Sequence, residues 1–216
     1  MFEELDATGY KHNQYFYSNE FKKVLKGIYF CYTIMIKKPE KLKRNNEDMI
    51  RDVLVNKYLN DDEICNDAGL TGYLFSIGAK DQNGYPDIKV DLRSTTYPKN
   101  SFFNIECKKI GRSSTGLNSL YVTKGIFRFI NNEYTSNCGV SAMIGFVVEN
   151  IQIDINTEKI NKILIKKSQF NQTIQDIQKE NFITDFNFHY SSKHTDKEGK
   201  NFVLYHLMLD FSNVIQ

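Results

Sequence analysis

Two short stretches limit what this chain can fold into. In DIKVDL (87–92), Ile88, Val90 and Leu92 point one way, and Asp87, Lys89 and Asp91 the other. In FFNIECKKI (102–110), Phe103, Ile105 and Cys107 share one side, and Asn104, Glu106 and Lys108 the other. Alternation of period two puts successive side chains on opposite faces of a pleated strand. Both stretches therefore predict strands with one apolar face. Tyr73 to Ala79 is strand-like too, and DQNGYP (81–86) carries an Asn-Gly turn signal just ahead of Asp87.

Before these strands the period is helical. Residues 18–38 predict a helix capped by Ser18, with Phe21, Val24, Leu25, Ile28 and Tyr29 at helical spacing. The polar run from Lys37 to Asn46 reads as a connection. NEDMIRDVLVNKYLN (46–60) predicts a second helix, capped by Asn46, with Met49, Ile50, Val53 and Leu54 as its buried stripe. That puts Glu47 near the helix start, at the border of the core-facing side. After the strands come a loop at Gly111 to Ser114 and a helix running to about Asn131. Gly139 to Val148 has the pattern of a strand covered on both faces. A helix over 157–168 and two strands, about 184–190 and 202–210, complete the chain, the strands joined by the polar stretch SSKHTDKEGK. The order predicts an α/β fold with a mixed central sheet flanked by helices. It reads as one domain: a helical extension over 1–45, a core over 46–150, and a C-terminal helix and strands over 151–216.

Composition excludes little. Net charge is +2, so any electrostatic case rests on local patches, such as Lys37, Lys38, Lys41, Lys43 and Arg44. Sixteen Phe and 13 Tyr can furnish a core, and argue against a disordered chain. Cys31, Cys65, Cys107 and Cys138 are too widely spaced for a zinc knuckle, and too few for a disulfide framework in a chain of 216 residues. The start, MFEELDATGYKHNQ, lacks the apolar run of a signal peptide, and Ile28 to Ile36 is too short to span a bilayer. A cytoplasmic location without membrane attachment is the expectation.

The chemistry lies in the polar faces of the two strands. If they are neighbours, Asp87, Glu106 and Lys108 converge on one edge of a sheet. Paired carboxylates resist ionising together, and a divalent cation removes that cost. Magnesium takes hard oxygen ligands, usually few from protein, and keeps water and phosphate for the rest. A lysine adds a compact positive charge that can hold or help deprotonate an attacking water.

Pro86-Asp87 followed by Glu106-Cys107-Lys108 on the next strand resembles the PD-(D/E)xK nuclease superfamily, the restriction-endonuclease-like fold. The likeness covers residues 46–150. It implies a nuclease in which Asp87 and Glu106 bind Mg²⁺ or Mn²⁺, the backbone carbonyl of Cys107 completes that shell, and Lys108 is catalytic. It further implies an acidic residue from the first core helix, Glu47 in first place and Asp48 in second. The helix after the motif lines the cleft in that family. Tyr121, Lys124, Gly125 and Arg128 recur at intervals of three or four and so share roughly one face. Lys124, Arg128 and Arg112 are the candidates for gripping a phosphate backbone, and Gly125 for close approach.

Other residues read more plainly. Asp91 is either a supporting group or an ordinary polar strand residue. His189 and His194 lack a partner for a metal site, and His206 reads as packed. The functional expectation is a magnesium-dependent endonuclease acting on DNA, with restriction or phage defence as a setting and a homodimer admitted. The alternatives are a nuclease-like module that binds nucleic acid or protein without cutting, and an RNA-cleaving effector.

Overall fold

The computed structural model describes residues 11–38, 42, 46–93, 101–168 and 172–215. Its centre is a mixed sheet of seven strands among those residues, in the order β1-β2-β3-β4-β7-β6-β5. The strands are β1 (Tyr73–Ile77), β2 (Ile88–Leu92), β3 (Phe102–Ile110), β4 (Val140–Val147), β5 (Thr173–Lys179), β6 (His189–Thr195) and β7 (Asn201–Asp210). β1, β2 and β3 form an antiparallel meander. β4 lies parallel to both β3 and β7, and β6 and β5 follow antiparallel.

Helices cover both faces. α1 (Lys11–Met35) begins before Ser18, so Ser18 lies inside the helix and binds the Tyr205 hydroxyl instead of capping. Phe21, Val24, Leu25 and Ile28 are buried from α1, as their spacing predicts. α2 (Glu47–Leu54) is capped by the Asn46 side chain, which accepts from the Met49 N–H at 2.8 Å. It runs into a π-helical turn (Val55–Leu59) and is followed by α3 (Asp62–Asp67), a short helix absent from the sequence prediction. These elements bury one sheet face with Phe103, Ile105 and Cys107. On the other face α4 (Leu117–Tyr121), a π-helical turn (Val122–Ile126) and α5 (Phe127–Ile130) form one run, with α6 (Ile153–Lys167) beside it. Every residue of β4 is buried, as a strand between two helical layers must be.

In the C-terminal third α6 and β7 fall where the sequence predicts a helix and a strand, and the segment between them departs from the prediction. β5 was not foreseen, and β6 starts at His189 and runs through the SSKHT that reads as a turn. Ser192 and His194 are buried there because they are satisfied by one another and by neighbouring side chains. The Tyr121 hydroxyl meets His206 Nδ1 at 2.8 Å, Ser192 Oγ bridges His206 Nε2 and His194 Nε2 at 2.8 and 2.7 Å, and Thr173 Oγ1 meets His194 Nδ1 at 3.3 Å. A buried polar group costs little once hydrogen-bonded. No helix among the described residues is long and apolar enough to cross a membrane.

Burial holds the His194 pKa down to about 4 and that of His206 well below the usual range. Both folded values lie under the unfolded one, so the folded state binds fewer protons as the solution is acidified. The stability they allow is intact above the unfolded value of 6.5 and is lost as pH falls below it. Between pH 6.5 and 4.5, wild-type protein should lose more stability than His194→Gln, by up to about 1.4 kcal/mol per pH unit. Urea unfolding at four pH values reads the difference; parallel curves would mean that His194 is charged inside the fold.

Candidate active site

Antiparallel pairing sets Ile88 opposite Ile105. Asp87, just ahead of β2, therefore arrives beside the later half of β3. The Cys107 N–H donates to Asp87 Oδ2 at 2.8 Å, which fixes the carboxylate against the strand. Glu106 and Lys108, two residues apart, project from the same face of β3 and meet at 2.7 Å. The Lys108 ammonium also lies 3.4 Å from Asp87 Oδ2 and 3.1 Å from Glu47 Oε1, and donates to the Cys107 carbonyl at 2.6 Å. The structure thus brings Glu47, Asp87, Glu106, Cys107 and Lys108 together. Glu47 is further tied to β3 by the Lys109 N–H at 2.6 Å. Asp48 is 71% exposed and pairs with Arg51.

Glu106 is the unusual member. Its side chain has no exposed area; Oε1 also faces Arg128 at 3.2 Å, and Oε2 is buried without a hydrogen bond among the described residues. Burial, then the neighbouring Asp87, push its pKa up to about 7 against the pull of Lys108 and Arg128. Burial opposes the Lys108 charge as well, but Glu106, Asp87 and Glu47 outweigh it and hold its pKa above the usual lysine value. Lys108 is therefore a cation and hydrogen-bond donor here. A lysine so held can neutralise charge building on a neighbouring group.

The helical run after the motif is positioned by Gly125. A Cβ there would stand 2.3 Å from the Met143 terminal methyl and 3.4 Å from Lys108 Cγ, so glycine lets the helix settle onto β3 and β4 without displacing the Met143 side chain. The π turn at this point breaks the expected face. Tyr121 is fully buried and bonded to His206, so it does not line a cleft. Arg128 reaches Glu106 and the Tyr134 hydroxyl, and stacks over the Tyr134 ring at 5.4 Å. Lys124 and Arg112 are exposed. Asp91 pairs with Lys89 at 2.7 Å and does not join the cluster. Lys41, Lys43 and Arg44 lie outside the described residues.

Three residues at the site went unread in the sequence. Arg51 holds Asp87 Oδ1 at 2.9 Å; its signal is its place one helical turn after Glu47. Tyr134, buried beside Arg128, carries no local signal. Asp81 anchors the loop that delivers Asp87. Its Oδ1 accepts from the N–H groups of Asn83 and Gly84 at 2.7 and 2.6 Å, and its Oδ2 from Asn104 Nδ2 and the Thr135 N–H at 2.6 and 2.8 Å. An Asp two residues before Asn-Gly is the signature of such a side-chain turn. Neither Asn83 nor Gly84 has positive φ, so this is not the mirror-image hairpin turn that Asn-Gly suggests. Gly84 is needed for proximity: a Cβ there would lie 2.4 Å from the Glu133 carbonyl oxygen.

Asp87, Glu106 and the Cys107 carbonyl offer hard oxygens of the kind a divalent cation takes, a set that leaves room for water and phosphate. No group of three or more His, Cys, Asp and Glu side chains suited to a metal occurs among the described residues. The oxygens that could hold a cation are those now touched by the Lys108 ammonium, and Glu106 Oε2 stands without a donor. The donor atoms are of the kind a small cation takes, though they are not gathered as a metal-ready cluster among the described residues.

Removing Lys108 strips a buried carboxylate of its nearest positive charge. Lys108→Ala should lose about 3 kcal/mol of unfolding free energy at pH 8, the order seen when one partner of a buried pair is deleted. Glu106→Gln/Lys108→Met should recover most of it. Urea unfolding measures both; a double variant as weak as the single one would mean that packing, not charge, sets the loss. As for known proteins, no family model matches this chain, and neither a curated protein nor a solved structure matches it.

Proposed function

We propose that this chain is a metal-dependent endonuclease with a restriction-endonuclease-like core, which hydrolyses phosphodiester bonds in DNA. One observation carries the reading: two carboxylates, from Asp87 and Glu106, and the Cys107 carbonyl all lie within reach of the Lys108 ammonium. An arrangement that gathers Glu47 as well, around one cation and with a fully buried carboxylate, is costly for a purely structural site.

Mg²⁺ or Mn²⁺ would be held by Asp87, Glu106 and the Cys107 carbonyl. When bound, the ion would polarise the phosphate and make water more acidic. The chain's own groups supply the rest. Lys108, held protonated, donates to the phosphate oxygen on which charge gathers. Glu47 and Asp87 orient that ammonium. Arg51 steadies Asp87 from the helix side. Arg128, 34% exposed, stands at the rim where a neighbouring phosphate can reach it, and Lys124 and Arg112 offer further contacts along the same side of the sequence motif.

A second reading has its own support. Glu106 lies wholly buried beneath Lys108 and Arg128, as in a module that grips nucleic acid without cutting it. The deciding experiment is a cleavage assay on single-stranded, duplex and branched DNA and RNA, with Mg²⁺, Mn²⁺ or EDTA. Wild-type protein should cut only with metal. Asp87→Ala should reduce the rate by roughly a thousandfold or more. Lys108→Ala should do the same while still binding metal, and Mn²⁺ should raise its melting temperature more than that of wild type, because the ion replaces the missing charge. Arg128→Ala should weaken binding and retain turnover at saturating substrate. Undiminished cutting by Asp87→Ala would place the chemistry elsewhere; binding without cutting under any divalent ion would favour the second reading.

A further inference from the structure

Tyr85 is 63% exposed and stands two residues before Asp87. The loop that carries it is not slack. Asp81 binds two of its backbone N–H groups and ties it to Asn104 and Thr135, the Asp81 N–H donates to the Gly84 carbonyl at 2.9 Å, and Asn83 Nδ2 reaches Asn132 Oδ1 and its carbonyl at 2.9 and 3.1 Å. Gly84 packs against the Glu133 carbonyl and the Tyr134 ring. Pro86, on the other side, is buried. The exposed Tyr85 thus sits on a braced loop, between Gly84, which packs on the Tyr134 ring, and Pro86-Asp87 in the chain. Tyr15, still more exposed at 72%, lies on α1, in a different part of the chain from Asp87.

An exposed ring on a pre-ordered loop beside a phosphate-handling centre suits one ligand chemistry. It offers a flat π-face on a residue whose Cα lies within about 7 Å of that of Asp87, and stacking on a base then costs no ordering of the loop. A base inside an intact duplex already has neighbours on both faces, so the ring favours one that is unpaired. We propose that Tyr85 is a stacking platform for an unpaired nucleobase adjacent to the scissile phosphate, and that the preferred substrate is a locally single-stranded nucleic acid. The inference rests on the nuclease reading above and adds the substrate's form to it.

The chain contains no Trp, so Tyr85→Trp creates a single reporter at this position. Emission of that variant is followed in EDTA while a 12-nucleotide single strand, the matching duplex, or an abasic strand of equal charge is added. The base-containing single strand should quench the signal, and the abasic strand should not. In parallel, Tyr85→Ala should bind the base-containing strand roughly ten- to a hundredfold more weakly and the abasic strand equally well, whereas Tyr85→Phe should match wild type. Unfolding midpoints equal to wild type verify that the variants fold, as substitution of an exposed residue allows. Equal quenching by the abasic strand, tighter binding of duplex than of single strand, or unchanged affinity in Tyr85→Ala would overturn the stacking role. If wild type cuts nucleic acid normally in those cases, only this inference falls. If wild type neither binds nor cuts any nucleic acid, the nuclease reading falls and this inference with it.

Discussion

The pairing of Glu106 with Lys108 is the interaction on which the rest of the site depends. A carboxylate with no exposed area cannot stay ionised without nearby positive charge, and here burial has already moved it to about 7. Lys108 meets that need at 2.7 Å, and Arg128 adds to it from the helical layer. Lys108 in turn is kept cationic by Glu106, Asp87 and Glu47, so the five groups form one electrostatic unit. Removing any one changes what the others can hold.

The surrounding fold is arranged so that this unit can exist. Gly125 and the π turn let the helical run lie against Lys108 and Met143, which excludes water from Glu106. The antiparallel step from β2 to β3 brings Asp87 to the Cys107 N–H. Asn46 starts α2 at the point that aims Glu47 at Lys108 and Lys109. Asp81, with four N–H donors, braces the loop between β1 and β2 against both β3 and the segment after α5. Each device is local, and each spends a conformational restriction on placing one charged side chain.

The buried polar chain through Tyr121, His206, Ser192 and His194 follows a different logic. It uses neutral groups that satisfy each other, and so lets a strand rich in Ser and His lie inside the protein. The charged cluster has an unsatisfied oxygen on Glu106, whereas this chain bonds both ring nitrogens of His206 and of His194. The contrast is that between a polar chain satisfied within itself and a charged cluster with one buried oxygen left unsatisfied.

Much of the sheet was legible because its signals are local. Alternation in 102–110 predicted β3 to the residue, the all-apolar run predicted β4, and the spacing of Glu106 and Lys108 alone placed both on one face. Asn46 announced α2 through its own side chain. What failed needed partners distant in sequence. β5 buries only Ile177 fully, so it shows no alternation, and SSKHT looks like a turn until β7 supplies His206. Tyr121 seemed to share a face with Arg128 because an unbroken α-helix was assumed, and the wider π turn rotates one against the other. The sequence by itself determined which residues could carry the charge and on which strand faces they stand, since period-two geometry is a property of the backbone. Only the tertiary structure decided that Glu106 would be buried, that Arg51 and Tyr134 would join it, and that Lys108 would stay protonated, because desolvation and pairing depend on what packs above the strand.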